Sequence, residues 1–151
     1  MTVTANGLDE LKGMAGTDLG HTGWLEITQD RVDGFADATD DHQWIHVDKE
    51  KAAKGPFGTT IAHGFLTLSL IPGLTSGLLK VDGVRMGINY GLNRVRFPNP
   101  VRVGSKVKAT VRNVSIEDVQ GGIQVVNEVT VSIDGEPKPA CVAESVTRLY
   151  T

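Results

Sequence analysis

The sequence predicts an α+β fold: a strongly twisted antiparallel β-sheet wrapped around one long central buried helix. Two observations carry this. The apolar run from Phe65 to Leu79 places Phe65, Leu66, Leu68, Leu70, Ile71, Leu74, Leu78 and Leu79 around most of a helix, the pattern of a buried one. From about Val84 the hydrophobic period changes to two, with β-branched residues and turn punctuation, whereas the chain up to Leu79 reads as helical or irregular. One very apolar helix with four or five long antiparallel strands has few packing solutions, and a curved sheet buries the helix together with one face of each strand. Such a sheet has two edges, and pairing with a second copy covers one of them, so a homodimer is expected.

Taken in order, Leu8, Leu11 and Met14 are spaced as one face of a short helix. Trp24–Thr28 reads as a first strand, and Thr28 is placed to N-cap a helix beginning at Gln29. Val32, Phe35, Ala36 and Ala38 form the apolar side of that helix, and Asp40–Asp41 end it. A helix over Gly64–Leu79 would span about 24 Å, with Pro72–Gly73 expected to kink it or end it early. Val84, Met86, Ile88, Tyr90 and Leu92 alternate with small or polar residues as a half-buried strand. The phase flips toward Val95 and Phe97, which predicts a bulge near Asn93. Val107, Ala109 and Val111 alternate, then the phase shifts to Val114 and Ile116. Gly121–Gly122 sits at a hairpin turn, followed by Ile123, Val125, Val129, Val131 and Ile133, with Asn127 the polar residue on that face. Asp134–Gly135 is a second turn, and Ala140–Tyr150 a last strand.

Composition limits the function. A length of 151 residues suits a single domain, 1–151, with 40% hydrophobic and 22% charged residues. Fifteen basic against eighteen acidic side chains argue against a general nucleic-acid or anionic-membrane partner. The lone Cys141 makes neither an internal disulfide nor a cysteine zinc site. No signal-like N-terminus or span of roughly 20 apolar residues is present, so a cytoplasmic protein is expected.

Candidate chemistry gathers around the four histidines. In Asp41-His-Gln-Trp-Ile-His46 a carboxylate precedes an imidazole by five residues, with Trp44 and Ile45 as an apolar wall. An acid and a histidine in a partly dry pocket can hold one water and move its proton near neutral pH. The alternative is a structural His46 with Asp41 as a loop cap. A metal reading would use His42 and His46 with Asp41, Asp48 or His63, but Trp44 and Ile45 between the histidines suit packing better than ligation. Ala62-His63-Gly64-Phe65 offers a glycine at a helix start, where a ligand can approach backbone N–H groups or a neighbour can pack closely. Arg94, Arg96, Arg102, Lys106 and Lys108 are a solvated strand face or a site for carrier phosphates. Cys141 reads as a core thiol, and no Gly-x-Ser-x-Gly, Gly-x-Gly-x-x-Gly or Walker loop is present.

Three stretches together resemble a known family: Phe35-Ala-Asp-Ala-Thr-Asp-Asp-His-Gln-Trp-Ile-His-Val-Asp48, Gly55-Pro-Phe-Gly-Thr-Thr-Ile-Ala-His-Gly-Phe-Leu66, and Asn93-Arg-Val-Arg-Phe-Pro-Asn-Pro-Val101 with Gly104. They are similar to the MaoC-like dehydratases, or (R)-specific enoyl-CoA hydratases, in the nodulation-protein-N-like branch. The resemblance implies a hotdog fold, a homodimer, and reversible hydration of a trans-2-enoyl-CoA to the (R)-3-hydroxyacyl-CoA. It places the catalytic acid on Asp41, the catalytic histidine on His46 and the oxyanion-binding backbone N–H on Gly64, with no cofactor or metal required. His63, Arg94 and Arg96 are the candidate substrate-binding residues. Asp40 stands where the family pattern has glycine, which aspartate can replace in a left-handed turn. A second carboxylate beside Asp41 would matter electrostatically if both were buried. A hotdog acyl-CoA thioesterase and a non-catalytic acyl-thioester-binding dimer are the competing readings.

Overall fold

A computed structural model describes residues 2–151. Its main sheet has six strands in the order β2-β6-β7-β8-β5, with β3 pairing β6 beside β2. The strands are β2 (Asp18–His21), β3 (Leu25–Glu26), β5 (Met86–Arg96), β6 (Lys106–Val119), β7 (Gly122–Ile133) and β8 (Cys141–Tyr150). All of these pairings are antiparallel. Alternation explains the central strands: Ile123, Val125, Val129, Val131 and Ile133 are all buried, as their spacing predicts. Gly121, at φ 81°, makes the β6–β7 turn, while a Cβ on Gly122 would collide with the Leu149 carbonyl.

The predicted bulges exist, with one different consequence. In β5 the register shifts between Asn89 and Gly91 and again between Leu92 and Arg94. In β6 it shifts between Asn113 and Ser115, which leaves Val114 49% exposed and buries Asn113 instead. The expectation of an inward Val114 is therefore corrected. The reason is that Asn113 makes internal hydrogen bonds a valine could not.

The central helix is interrupted just before Pro72–Gly73, where a kink or early end was expected. It is two short helices, α5 (Gly64–Ser69) and α6 (Ile71–Thr75), with Leu70 between them. Pro72 lies in the first turn of α6, where its missing N–H is tolerated but continuation of α5 is not. The chain then turns into β4 (Leu79–Val81), which pairs in parallel with β1 (Val3–Ala5). Leu66, Thr67 and Ile71 face the core, but Phe65 is 69% exposed, so the helix is not buried on every side. The first strand is also shorter than predicted, since only Leu25–Glu26 pair and Trp24 is exposed.

The principal core joins Leu66 and Ile71 to Val107, Ala109, Val129, Val131, Cys141 and Ala143 on the sheet. A second cluster, Ala5, Leu11, Ile123 and Val125, seats helix α1 (Leu8–Lys12) and β1 on the far end of the β6–β7 hairpin. Three more helices, α2 (Gln29–Thr39), α3 (Trp44–Val47) and α4 (Lys49–Ala53), form the segment that carries Asp41 and His46. Among the described residues no helix is long and apolar enough to cross a membrane.

Strand β5 reverses one expectation. Met86, Ile88, Tyr90 and Leu92 were predicted to be half-buried, yet all are at least 41% exposed in the single chain. β5 also ends the strand order, so one of its edges has no partner among the described residues.

Candidate active site

Helix α2 starts as the sequence predicts, with the Thr28 hydroxyl accepting from Arg31 N–H at 3.2 Å. It ends at Asp40, which adopts φ 61° and ψ 21°, the left-handed conformation that glycine usually supplies. That reversal delivers Asp41 to the start of the next loop. Both carboxylates are exposed, so the condition of shared burial considered for Asp40 and Asp41 is not met. One turn on, α3 presents the His46 ring inward, with the residue 7% exposed.

Three side chains meet here. Asp41, His46 and His63 each offer a ligating atom, and these atoms lie within 4.8 Å of one another. The two imidazoles stack with centroids 3.8 Å apart at 22°, and Phe35 closes the outer side of His63 at 4.9 Å. His46 Nδ1 lies 2.7 Å from the Ile61 carbonyl. Because a carbonyl only accepts, Nδ1 carries the proton and Nε2 is a bare lone pair. By the same argument, His63 Nε2–H donates to the Asp41 carbonyl at 3.0 Å, and among the described residues its buried Nδ1 has no partner. Burial holds the His46 pKa below its usual value, and the neighbouring His63 lowers it further, against the opposing pull of the Ile61 carbonyl and Asp41. His46 is therefore neutral near pH 7.

A supporting layer escaped the sequence reading. Gln29 Nε2–H donates to the His46 carbonyl at 2.8 Å, and the Thr60 hydroxyl donates to Gln29 Oε1 at 2.6 Å. Thr60, 1% exposed, is tied in turn to Val103 through its own carbonyl. These residues hold α3 against the 60–63 segment. No local spacing connects Gln29 to Thr60, so only the fold reveals them.

The other candidates fall elsewhere. His42 is exposed and bonded to Asp37 at 2.9 Å, which raises its pKa, and Asp48 caps α4 through Lys51 N–H. The His42-based metal set is thus not assembled. Among the described residues, Asp41, His46 and His63 are the group able to offer a metal a common point. Gly64 opens α5, so its N–H has no acceptor inside the helix. Its missing Cβ also matters, since a Cβ there would sit 3.0 Å from the Phe97 ring. Arg94 and Arg96 line a separate cleft of about 270 Å³ with Glu128 and Glu144. Cys141 is fully buried, and desolvation raises its thiol to about 11.

A cavity of about 780 Å³ lies between α5–α6 and the sheet, its helical wall beginning at Leu68, four residues beyond Gly64. Leu68, Ile71 and Leu78 form its helical wall, and Val129, Leu149 and the small Gly87 and Gly91 its sheet wall. Its volume falls within the roughly 300–1,000 Å³ of small-molecule sites.

A curved antiparallel sheet around a short central helix, with an acid and a histidine beside the helix start, is the hotdog architecture in its dehydratase-like form. The chain belongs to the MaoC-like domain family, whose model matches residues 10–134. It is 55% identical over 146 residues to 3-hydroxyacyl-thioester dehydratase Z of Mycobacterium tuberculosis, covering 96% of this chain and 97% of that protein. It is 47% identical over 145 residues to Nodulation protein N of Rhizobium leguminosarum bv. viciae, covering 93% and 89%. Among solved structures, an (R)-hydratase from A. caviae involved in PHA biosynthesis superposes with a TM-score of 0.70 at 27% identity, covering 86% of this chain and 95% of that one. A monoamine oxidase regulatory protein from Archaeoglobus, at 24% identity and TM-score 0.79 over 100% and 99% of the two chains, shares the fold.

Proposed function

We propose that this protein is an (R)-specific enoyl-thioester hydratase, adding water reversibly to a trans-2-enoyl-CoA to give the (R)-3-hydroxyacyl-CoA. The observation that carries the reading is the tautomer of His46: its Nδ1–H is committed to Ile61, which leaves Nε2 as the accepting atom of a ring that lies close to the Asp41 carboxylate. The 55% identity to a 3-hydroxyacyl-thioester dehydratase supports the same reaction class.

The chemistry follows from that pair. One water bridges the Asp41 carboxylate and His46 Nε2, both acceptors. Its oxygen attacks C3 while its proton passes to the pair, and a proton is delivered from the pair to C2 on the same face. Negative charge grows on the thioester oxygen, which the Gly64 N–H receives. That contribution comes from the local donor, because α5 is too short to lend a large macrodipole. His63 positions the site by holding the Asp41 carbonyl and by stacking on His46. The acyl chain occupies the cavity beside α5–α6. Arg94 and Arg96 are placed at a cleft where carrier phosphates can pair with them.

The active unit in this reading is a homodimer of one-domain chains in the cytoplasm, where acyl thioesters are made and used. Its support is the free edge of β5 with Met86, Ile88, Tyr90 and Leu92 exposed on one strand, a surface that a second copy would cover.

The test is loss of enoyl-thioester absorbance when protein is added to a short trans-2-enoyl-CoA. Asp41→Asn and His46→Gln should each lower kcat by at least about 10² while the circular dichroism spectrum stays unchanged. Undiminished activity in both variants would refute the assignment. Thiol release from a saturated acyl-CoA would point to a thioesterase instead, and saturable binding without turnover to a carrier-binding dimer.

A further inference from the structure

The cavity beside α5–α6 is not uniformly apolar, and its polar wall has a fixed direction. Asn113, 2% exposed, is swung inward by the β6 bulge. The Gly16 backbone N–H donates to Asn113 Oδ1 at 3.1 Å, which settles the orientation of that amide, since only an oxygen can accept there. Asn113 Nδ2 must then donate. It reaches the side chain of Asn127 at 2.9 Å, so the Asn127 atom it meets is Oδ1. Both ends of the relay are thereby determined, and the Asn127 NH2 is the free end. Asn127 lines the cavity, and among the described residues its NH2 has no protein acceptor. Asn89, Ser145 and Thr147 line the same sheet wall.

We infer that the acyl group taken by this enzyme carries an oxygen acceptor, a carbonyl, hydroxyl or ether, along its chain, and that Asn127 is the residue that selects it. The inference rests on the hydratase reading for placing an acyl chain in the cavity. A plain alkyl chain would dry the wall and leave an oriented NH2 unpaired, which is unfavourable, whereas a chain oxygen pairs with it. Because the cavity lies between the helices and the sheet, the acceptor belongs to the acyl chain. The amide carbonyls of the pantetheine arm are the other source of the same chemistry, and the test separates them.

Isothermal titration of the full chain with a medium-chain saturated acyl-CoA, and with chain-matched analogues carrying one ketone at successive carbons beyond C3, reads the inference without turnover. At one position or more the ketone analogue should bind about 10-fold tighter than the alkyl parent. In Asn127→Asp, which keeps an acceptor for Asn113, and in Asn127→Leu, where Asn113 Nδ2 retains the Val126 and Ser115 carbonyls, that ratio should fall toward one. A wild-type ratio near one at every position overturns the inference, as does failure to bind either ligand. An equal loss of affinity for the alkyl parent and the ketone analogues, expected if Asn127 served the pantetheine arm, overturns it as well. Ketone selectivity without hydration of any enoyl-CoA would uphold the Asn127 assignment and refute the hydratase reading, so the two fail separately.

Discussion

At the scale of single residues, the site depends on which proton each histidine holds. Burial keeps the His46 pKa below that of a free imidazole, so the neutral form that can accept from water persists below pH 6.5. The acid limb of the kcat/KM profile for hydration should therefore lie below pH 6.5, and a limb above it would show that His46 is not the titrating group. The stability sign is the same. The unfolded chain protonates His46 at a higher pH than the native chain does, so this residue's contribution is complete above about pH 6.5 and fades as pH falls toward the lowered native value. Asp40 is the other residue with a clear energetic signature. Holding aspartate at φ 61° is unfavourable relative to glycine, and Asp40→Gly should stabilise the protein by up to about 1 kcal/mol in denaturant titration. No gain would mean that Asp40 contributes contacts that offset its backbone strain.

At the scale of elements, the start of α5 and the strand β5 invite the sharpest tests. A methyl group on Gly64 would meet the Phe97 ring at 3.0 Å, so Gly64→Ala should lose about 1–3 kcal/mol, and combining it with Phe97→Leu should recover part of that loss. Alanine keeps the backbone N–H, so activity that stays low in the stabilised double variant would mean that the methyl group blocks approach of the substrate to that N–H. Strand β5 is where local pattern and actual burial disagree. The period-two spacing of Met86, Ile88, Tyr90 and Leu92 predicted one half-buried face, but all four are exposed, and the register shift at Asn89–Gly91 takes Leu92 onto the cavity side opposite Ser145. Ile88→Lys should shift the protein toward monomer in sedimentation velocity, and an unchanged dimer would move the interface elsewhere. In the central helix the break expected at Pro72–Gly73 is present, with Pro72 in the first turn of a new helix, but the expectation of burial on most sides fails at Phe65, which faces outward.

At the scale of the whole molecule, the distribution of small residues decides what the fold can hold. The sheet face opposite α5–α6 carries Gly87 and Gly91, and the helices supply Ser69, Thr75 and Ser76, so the helix pair does not fill the concavity. A larger side chain at position 91 should shorten the accessible cavity. With Gly91→Leu, kcat/KM should fall about 10-fold or more for longer enoyl chains and less for the shortest, measured across a chain-length series. A uniform change at every length would mean that the chain runs elsewhere. The second apolar cluster packs β1 and α1 behind Leu79 and Leu149, two residues that also line this cavity.

What local pattern determined was the set of elements and their chemistry. Alternation marked β7, a capping threonine marked α2 and turn glycines marked the hairpin, because each depends on residues close in the chain, while the family resemblance joined Asp41, His46 and Gly64 as the candidate site. Tertiary structure decided everything that depends on distant partners. It brought His63 onto His46, tied Gln29 to Thr60, set the tautomers through the Ile61 and Asp41 carbonyls, and turned Asn113 and Asn127 into an oriented donor. Hydrogen bonds of that kind join segments far apart in the chain, and their geometry is set only when the sheet closes around the helices.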